Sequence, residues 1–137
     1  MRRKTTERDI ETAALTLLSA LGCEHATIGG ARPQGQRGYV GNTLGIPDKI
    51  VRHRTWPRGC WMALEFKRDE SSASAMMAQT DSRGIHQTRI WNSGGSWIVW
   101  KPEQAIEAFI VMNTALSMPN HAAVTERAKR ILHDRLG

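Results

Sequence analysis

The N-terminal part of the chain carries apolar residues at the spacing of one helix face. They recur every three or four positions between residues 6 and 21, at Ile10, Ala13, Ala14, Leu17, Leu18 and Leu21. This period matches the turn of an α-helix and predicts an amphipathic helix that starts near Glu7. Thr6 can cap its start, with Asp9 as a weaker capping-box partner, and Gly22 supplies its stop.

Two short apolar runs in the middle of the chain predict a β-hairpin. Residues 46–51 and 60–66 are rich in β-branched and apolar side chains, and Pro57 and Gly59 between them favour a turn. The six glycines in residues 27–45 predict a loop before the hairpin. The small and polar residues 67–81 predict a second loop after it.

The C-terminal half of the chain predicts a short helix, a strand and two further helices. We expect the short helix over residues 82–92, and the continuous apolar run 96–100 is typical of a buried central strand. Pro102 suits the first position of the next helix, and a basic last helix follows at about 122–136. This order predicts an α/β fold with one mixed β-sheet flanked by helices.

The bulk properties favour a single soluble domain with a polyanionic partner. The chain has 137 residues, a formal charge of +6 and a pI near 10, and basic side chains gain affinity when they neutralise phosphates. We expect one domain over 1–137, with a core at about 7–110 and a helical extension at about 121–137. No apolar run approaches the ~20 residues that span a bilayer, and no secretory signal follows the basic N-terminus, so we expect a cytoplasmic protein.

Candidate contacts to nucleic acid come from arginines and tryptophans. Trp56, at the predicted turn, and Trp91 are the better candidates for stacking on bases, whereas Trp97 and Trp100 are expected in the core. The basic residues of the last helix either contact DNA or form a solvated face. The arginines expected to bind DNA are Arg32, Arg37, Arg68 and Arg89.

The hairpin carries the residues with the most distinctive chemistry. Asp48 opens its first strand and Glu65 and Lys67 end its second, so we expect two carboxylates to share one site with a lysine. A strand's period of two points Glu65 and Lys67 to the same face while Phe66 points into the core. Paired carboxylates attract a hard cation such as Mg²⁺, which activates water, and the lysine can orient that water or stabilise charge on a phosphate.

A less specific interpretation of the same residues is possible. Glu65 and Lys67 would be charges on a solvated edge strand, and Asp48 would cap a turn. The order of elements around the motif and the independent basic charge favour the catalytic interpretation.

These motifs resemble the PD-(D/E)xK nuclease superfamily, and within it the VRR-NUC branch. Pro47-Asp48 supplies the first element and Glu65-Phe66-Lys67 the second, seventeen positions after Asp48. The finer resemblance rests on residues 45–50, on residues 63–67 and on a glutamine-bearing segment that ends at Gly94-Gly95 before an apolar run. It spans roughly residues 7–109.

The resemblance implies a restriction-endonuclease-like core and a defined set of site residues. Asp48, Glu65 and the Phe66 carbonyl would bind Mg²⁺ or Mn²⁺, and Lys67 would be the catalytic lysine. The family also has a helper glutamate on the first helix, which Glu7 matches best, with Glu11 as the alternative. Its glutamine after the ExK strand corresponds to Gln87 or to Gln79, and we favour Gln87.

The resemblance also implies a function. Small stand-alone members of the branch tend to be phage-encoded and to resolve four-way DNA junctions as homodimers, and a two-fold dimer would supply two sites for symmetric cuts. We therefore expect a structure-selective endonuclease on branched DNA. The alternatives are a sequence-specific or nicking endonuclease on linear duplex, and a basic DNA-binding module without activity.

Overall fold

The first helix, α1, forms where its hydrophobic period predicts it. In the computed structural model, which describes residues 5–27, 47–75, 96–116 and 121–136, α1 spans Glu7–Ala20. Thr6 Oγ1 accepts the N–H of Asp9 at 3.1 Å, and Asp9 Oδ2 accepts the N–H of Thr6 at 2.9 Å. This reciprocal pair confirms the predicted capping box. The helix ends before Gly22, whose φ of +95° favours glycine.

Within the described residues, four strands form one mixed sheet in the order β1-β2-β3-β4. They are β1 (Cys23–Thr27), β2 (Lys49–His53), β3 (Met62–Phe66) and β4 (Ser96–Val99). β2 pairs antiparallel with both β1 and β3, which confirms the hairpin, and β4 pairs parallel with β3. The mixed α/β class predicted from the order of elements is confirmed.

The strands of the structure differ from the predicted ones at two points. No strand is predicted over residues 23–27, which form β1; only Cys23 of its five residues is buried, so no alternation of apolar residues marks this strand. The pattern of the apolar run 96–100 predicts a central strand. Among the strands in the described ranges, however, β4 lies at the edge, and three of its four residues are only partly buried. Among the described strands, β3 is buried along its whole length.

Two helices follow the sheet. α2 spans Pro102–Leu116, with Pro102 at its first position as predicted, and α3 spans His121–Leu136. α1 contacts β1 and β3, α2 contacts β4, and the two helices pack against each other, so both cover one face of the sheet. α3 packs on α2. None of the helices in the described ranges is long and apolar enough to cross a membrane.

Residues 70–75 are helical, where the sequence predicts a loop over 67–81. Asp69 starts this helical stretch, because its Oδ1 accepts the N–H of Ser72 at 2.8 Å and its carbonyl accepts the N–H of Ala73. The helix predicted at 82–92 lies outside the described residues, as does the glycine-rich stretch at 28–46.

Trp56 is a core residue and not the surface contact predicted at the turn. Only 3% of its surface is exposed, and its ring stacks on Phe109 at 5.8 Å between centroids. Its indole N–H donates to Asn113 Oδ1 at 2.7 Å, and Asn113 Nδ2 donates to Thr125 Oγ1 at 3.0 Å. This buried chain of hydrogen bonds links the hairpin turn to α2 and α3. The turn folds inward because α2 offers both an aromatic face and a buried acceptor for the indole.

Candidate active site

The hairpin brings Asp48 and Glu65 together at its open end. In the β2–β3 register Lys49 lies opposite Leu64, so one further step sets Asp48 opposite Glu65. Asp48 Oδ2 accepts the N–H of Phe66 at 2.9 Å. This bond fixes the Asp48 carboxylate against the backbone between Glu65 and Lys67, as the spacing of the motif predicted.

Glu65 is a buried carboxylate with one oxygen left without a partner. The residue is 8% exposed, and its Oε1 lies 3.6 Å from Lys67 Nζ in an ion pair longer than a hydrogen bond. Its Oε2 is buried and has no hydrogen-bond partner among the described residues. Buried polar atoms are nearly always satisfied, and an exception commonly marks a place for an ion, a water or a substrate.

The pKa of Glu65 depends on its burial and on the charges of Asp48 and Lys67. Burial raises the pKa of the Glu65 carboxyl to about 7, with repulsion from Asp48 acting in the same direction and the Lys67 ammonium opposing both. Burial also raises the pKa of Asp48, while the hydrogen bond from the Phe66 N–H lowers it. Both carboxyls therefore hold their negative charge at a free-energy cost that a bound cation would offset.

The first helix adds Glu7 to this group. Burial raises the pKa of Glu7, the Lys67 ammonium lowers it, and Asp48 raises it, so Glu7 lies within electrostatic reach of both hairpin residues. Glu11, one turn later, instead forms an ion pair with Lys49, with 3.3 Å between Oε1 and Nζ. Of the two candidates for the helper glutamate, Glu7 is the one whose pKa the Lys67 ammonium lowers, whereas Glu11 raises the pKa of Asp48. The choice between them stays a prediction.

The donor set suits a hard divalent cation that keeps most of its water ligands. Within the described ranges no group of three or more His, Cys, Asp or Glu side chains is placed to hold a metal ion. Mg²⁺, however, is commonly bound through only one or two carboxylates, with waters completing its octahedron. Asp48 and Glu65 meet that smaller requirement, and the unpartnered Glu65 Oε2 is consistent with such a ligand. The Phe66 carbonyl stays a predicted ligand.

The remaining predicted site residues fall into two groups. Arg68 is exposed at the surface next to Lys67, where its Nε lies 3.5 Å from Asp69 Oδ2, and its charge lowers the pKa of Glu7. It therefore lies close to the carboxylate of Glu7. The others lie outside the described residues: Gln79, Gln87, Arg32, Arg37, Arg89 and Trp91.

Several basic residues of α3 contact the protein itself. Arg127 donates to the carbonyl of Ala20 at 3.2 Å, and Arg135 lies 2.8 Å from Glu103. These two side chains therefore attach α3 to α1 and α2. This contact favours a docking role for part of the basic helix face over a DNA-binding one.

Sequence reasoning assigned no role to Lys49. Its ammonium donates to Thr27 Oγ1, the residue opposite it in the β1–β2 register, and it also contacts Glu11. The one sequence signal for Lys49 was its position directly after Asp48. That signal could not be interpreted without β1, because Thr27 of β1 holds the Lys49 side chain.

Comparisons of the chain with protein-family models, curated proteins and solved structures gave no significant match.

Proposed function

We propose that the protein is a metal-dependent DNA endonuclease with a restriction-endonuclease-like core, selective for branched DNA such as a four-way junction. The observation that carries the proposal is the convergence of Glu7, Asp48, Glu65 and Lys67 where the hairpin opens and α1 begins. Three carboxylates around one lysine, with a buried oxygen left unpaired, suit phosphodiester hydrolysis better than a solvated edge strand.

The side chains have separable tasks in this reaction. Hydrolysis forms a bond from a water oxygen to phosphorus, breaks one bridging P–O bond and moves a proton from the water to the leaving oxygen. Lys67, held beside Glu65, would orient the water and stabilise the charge that develops on the phosphate oxygens. A divalent cation held by Asp48, Glu65 and the Phe66 carbonyl would supply Lewis acidity toward the phosphate and acidify the water.

The remaining features of the chain support a DNA substrate. The formal charge is +6, although the candidate centre is itself acidic, so positive charge is concentrated elsewhere on the molecule. Phosphate contacts are independent of sequence and would place the backbone over the acidic centre. The choice of branched DNA rests on the resemblance of residues 45–50 and 63–67 to the VRR-NUC branch.

The test is cleavage of a labelled four-way junction, beside linear duplex and single strand, with Mg²⁺ or Mn²⁺. We expect symmetric junction cuts that Lys67→Ala slows by about 10²–10³-fold. Lys129→Ala removes the same charge from an exposed position on α3 and serves as the matched control. Equal cutting of linear duplex would replace the junction assignment by a general endonuclease. DNA binding without metal-dependent cleavage of any substrate would overturn the catalytic proposal and leave a basic DNA-binding module.

A further inference from the structure

Two lysines lie among the carboxylates Glu7, Glu11, Asp48 and Glu65, and together these side chains form what we call the acidic cluster. Each lysine is paired with one carboxylate. Lys67 pairs with Glu65, and Lys49 pairs with Glu11 at 3.3 Å. Lys49 is also held by the Thr27 hydroxyl, and its side chain is only 17% exposed. It is therefore fixed between α1 and β1, unlike an exposed lysine that could swing away.

The net charge of this cluster equals and opposes the charge of one divalent cation. Its members are the carboxylates Glu7, Glu11, Asp48 and Glu65 and the ammonium groups Lys49 and Lys67. Arg68, which lies beside the cluster, is paired with Asp69 at 3.5 Å, so those two charges cancel. When the six members of the cluster are ionised, two negative charges remain, which one Mg²⁺ or Mn²⁺ would neutralise. Without Lys49 three would remain, and a single divalent cation would leave one uncompensated.

The Glu11–Lys49 ion pair lies next to the candidate ligand Asp48. Lys49 directly follows Asp48 in the chain, and its ammonium lies 3.3 Å from Glu11 Oε1. The pair therefore sets one positive and one negative charge beside the candidate cation site. Independently, the unpartnered Oε2 of Glu65, in a residue more than nine-tenths buried, points to a ligand at this cluster.

We propose that Lys49 is a built-in counter-ion that neutralises Glu11 and so limits the cluster to the charge of a single divalent cation. Lys49 is in this sense a positioning residue, because it acts on the cation site through Glu11 and Asp48. The inference rests on the proposed function, since it takes Asp48 and Glu65 as the cation ligands.

A double-mutant cycle on metal affinity tests the inference without relying on activity. Mn²⁺ alone is titrated by calorimetry into the full-length protein and into Lys49→Met, Glu11→Gln and the double variant, at one fixed ionic strength. One charge several ångströms from a divalent ion in a partly solvated site changes affinity by roughly tenfold. We expect Lys49→Met to bind Mn²⁺ about tenfold more tightly, Glu11→Gln about tenfold more weakly, and the double variant about as tightly as the wild type.

The matched control is the exposed ion pair on α3, Lys129 and Glu126, which are 3.5 Å apart. Lys129→Met and Glu126→Gln should each leave Mn²⁺ affinity within about twofold of the wild type, because solvent screens distant surface charges. Melting temperatures of all variants are measured in the same buffer, to detect loss of folding.

Opposite shifts in the two single variants would support the counter-ion role, because a merely structural ion pair weakens the site whichever partner is lost. Parallel weakening with lowered melting temperatures would overturn the inference while leaving the nuclease proposal intact, and so would two equivalent Mn²⁺ ions bound by the wild type. Absence of Mn²⁺ binding in the wild type and in every variant would overturn both proposals.

Discussion

Removing the charge of Glu65 should stabilise the protein when no divalent cation is present. Glu65 is 8% exposed, has one unpartnered oxygen and has a pKa raised from 4.5 to about 7. Because a tenfold change in a protonation equilibrium corresponds to about 1.4 kcal/mol, the ionised carboxylate disfavours the folded state by about 3 kcal/mol. Glu65→Gln removes this penalty but buries an incompletely bonded amide, which costs about 1–2 kcal/mol.

The sign of the effect depends on pH. A carboxyl with a raised pKa in the folded state contributes full stability below its unfolded pKa of 4.5, and this contribution is lost as pH rises through about 7. We therefore expect Glu65→Gln to raise the free energy of unfolding by about 1–2 kcal/mol at pH 8. At pH 4 the same substitution should lower it by about 1–2 kcal/mol, the cost of the buried amide, because the wild-type carboxyl is then protonated in the folded state and largely so in the unfolded state.

Urea denaturation at the two pH values, with a chelator present, measures both free energies. Glu126→Gln, whose side chain is 68% exposed, is the matched control and should change stability by less than about 0.5 kcal/mol. Adding Mg²⁺ at pH 8 should stabilise the wild type more than Glu65→Gln, since the ion binds the folded state. A variant that is less stable than the wild type at pH 8 by the same amount as at pH 4 would refute the electrostatic reasoning.

Three further predictions concern the framework that holds the site. Asn113→Ala should lower the free energy of unfolding by about 2–3 kcal/mol in urea denaturation, because it leaves the buried indole N–H of Trp56 without an acceptor; a loss below about 0.5 kcal/mol would contradict this. Gly22→Ala should destabilise more than Gly59→Ala, as both glycines have positive φ but only at Gly22 would a Cβ lie 3.0 Å from His53 Nε2. Equal losses in thermal melts would show that the contact is unimportant. Burial lowers the pKa of His53 below 6.5, so the free energy of unfolding should be retained above pH 6.5 and should fall as the pH drops through the folded-state pKa. His53→Gln should reduce this fall, which denaturation curves at pH 7.5 and pH 5 would measure.

Much of the candidate site was predictable because its signals are local. Asp48, Glu65 and Lys67 were identified from their residue types and spacing, and the hairpin between them was readable from Pro57 and Gly59. The antiparallel pairing then follows from the turn, so the proximity of Asp48 and Glu65 required no long-range information. The choice between Glu7 and Glu11 was different, because two residues one turn apart share a helix face and only the packing of α1 on the sheet separates them.

The sequence by itself determined the helices with clear caps and periods. α1 begins at its Thr6–Asp9 capping box and stops before Gly22, and α2 begins at Pro102, because each of these signals acts within a few residues of the backbone it controls. The tertiary structure alone decided the rest. β1 became a strand through pairing with β2, and Trp56 turned inward because α2 supplies Phe109 and Asn113. Lys49 gained its ion pair from Glu11, which is far away in sequence. Such outcomes depend on partners far away in sequence, which local periodicity and propensity do not encode.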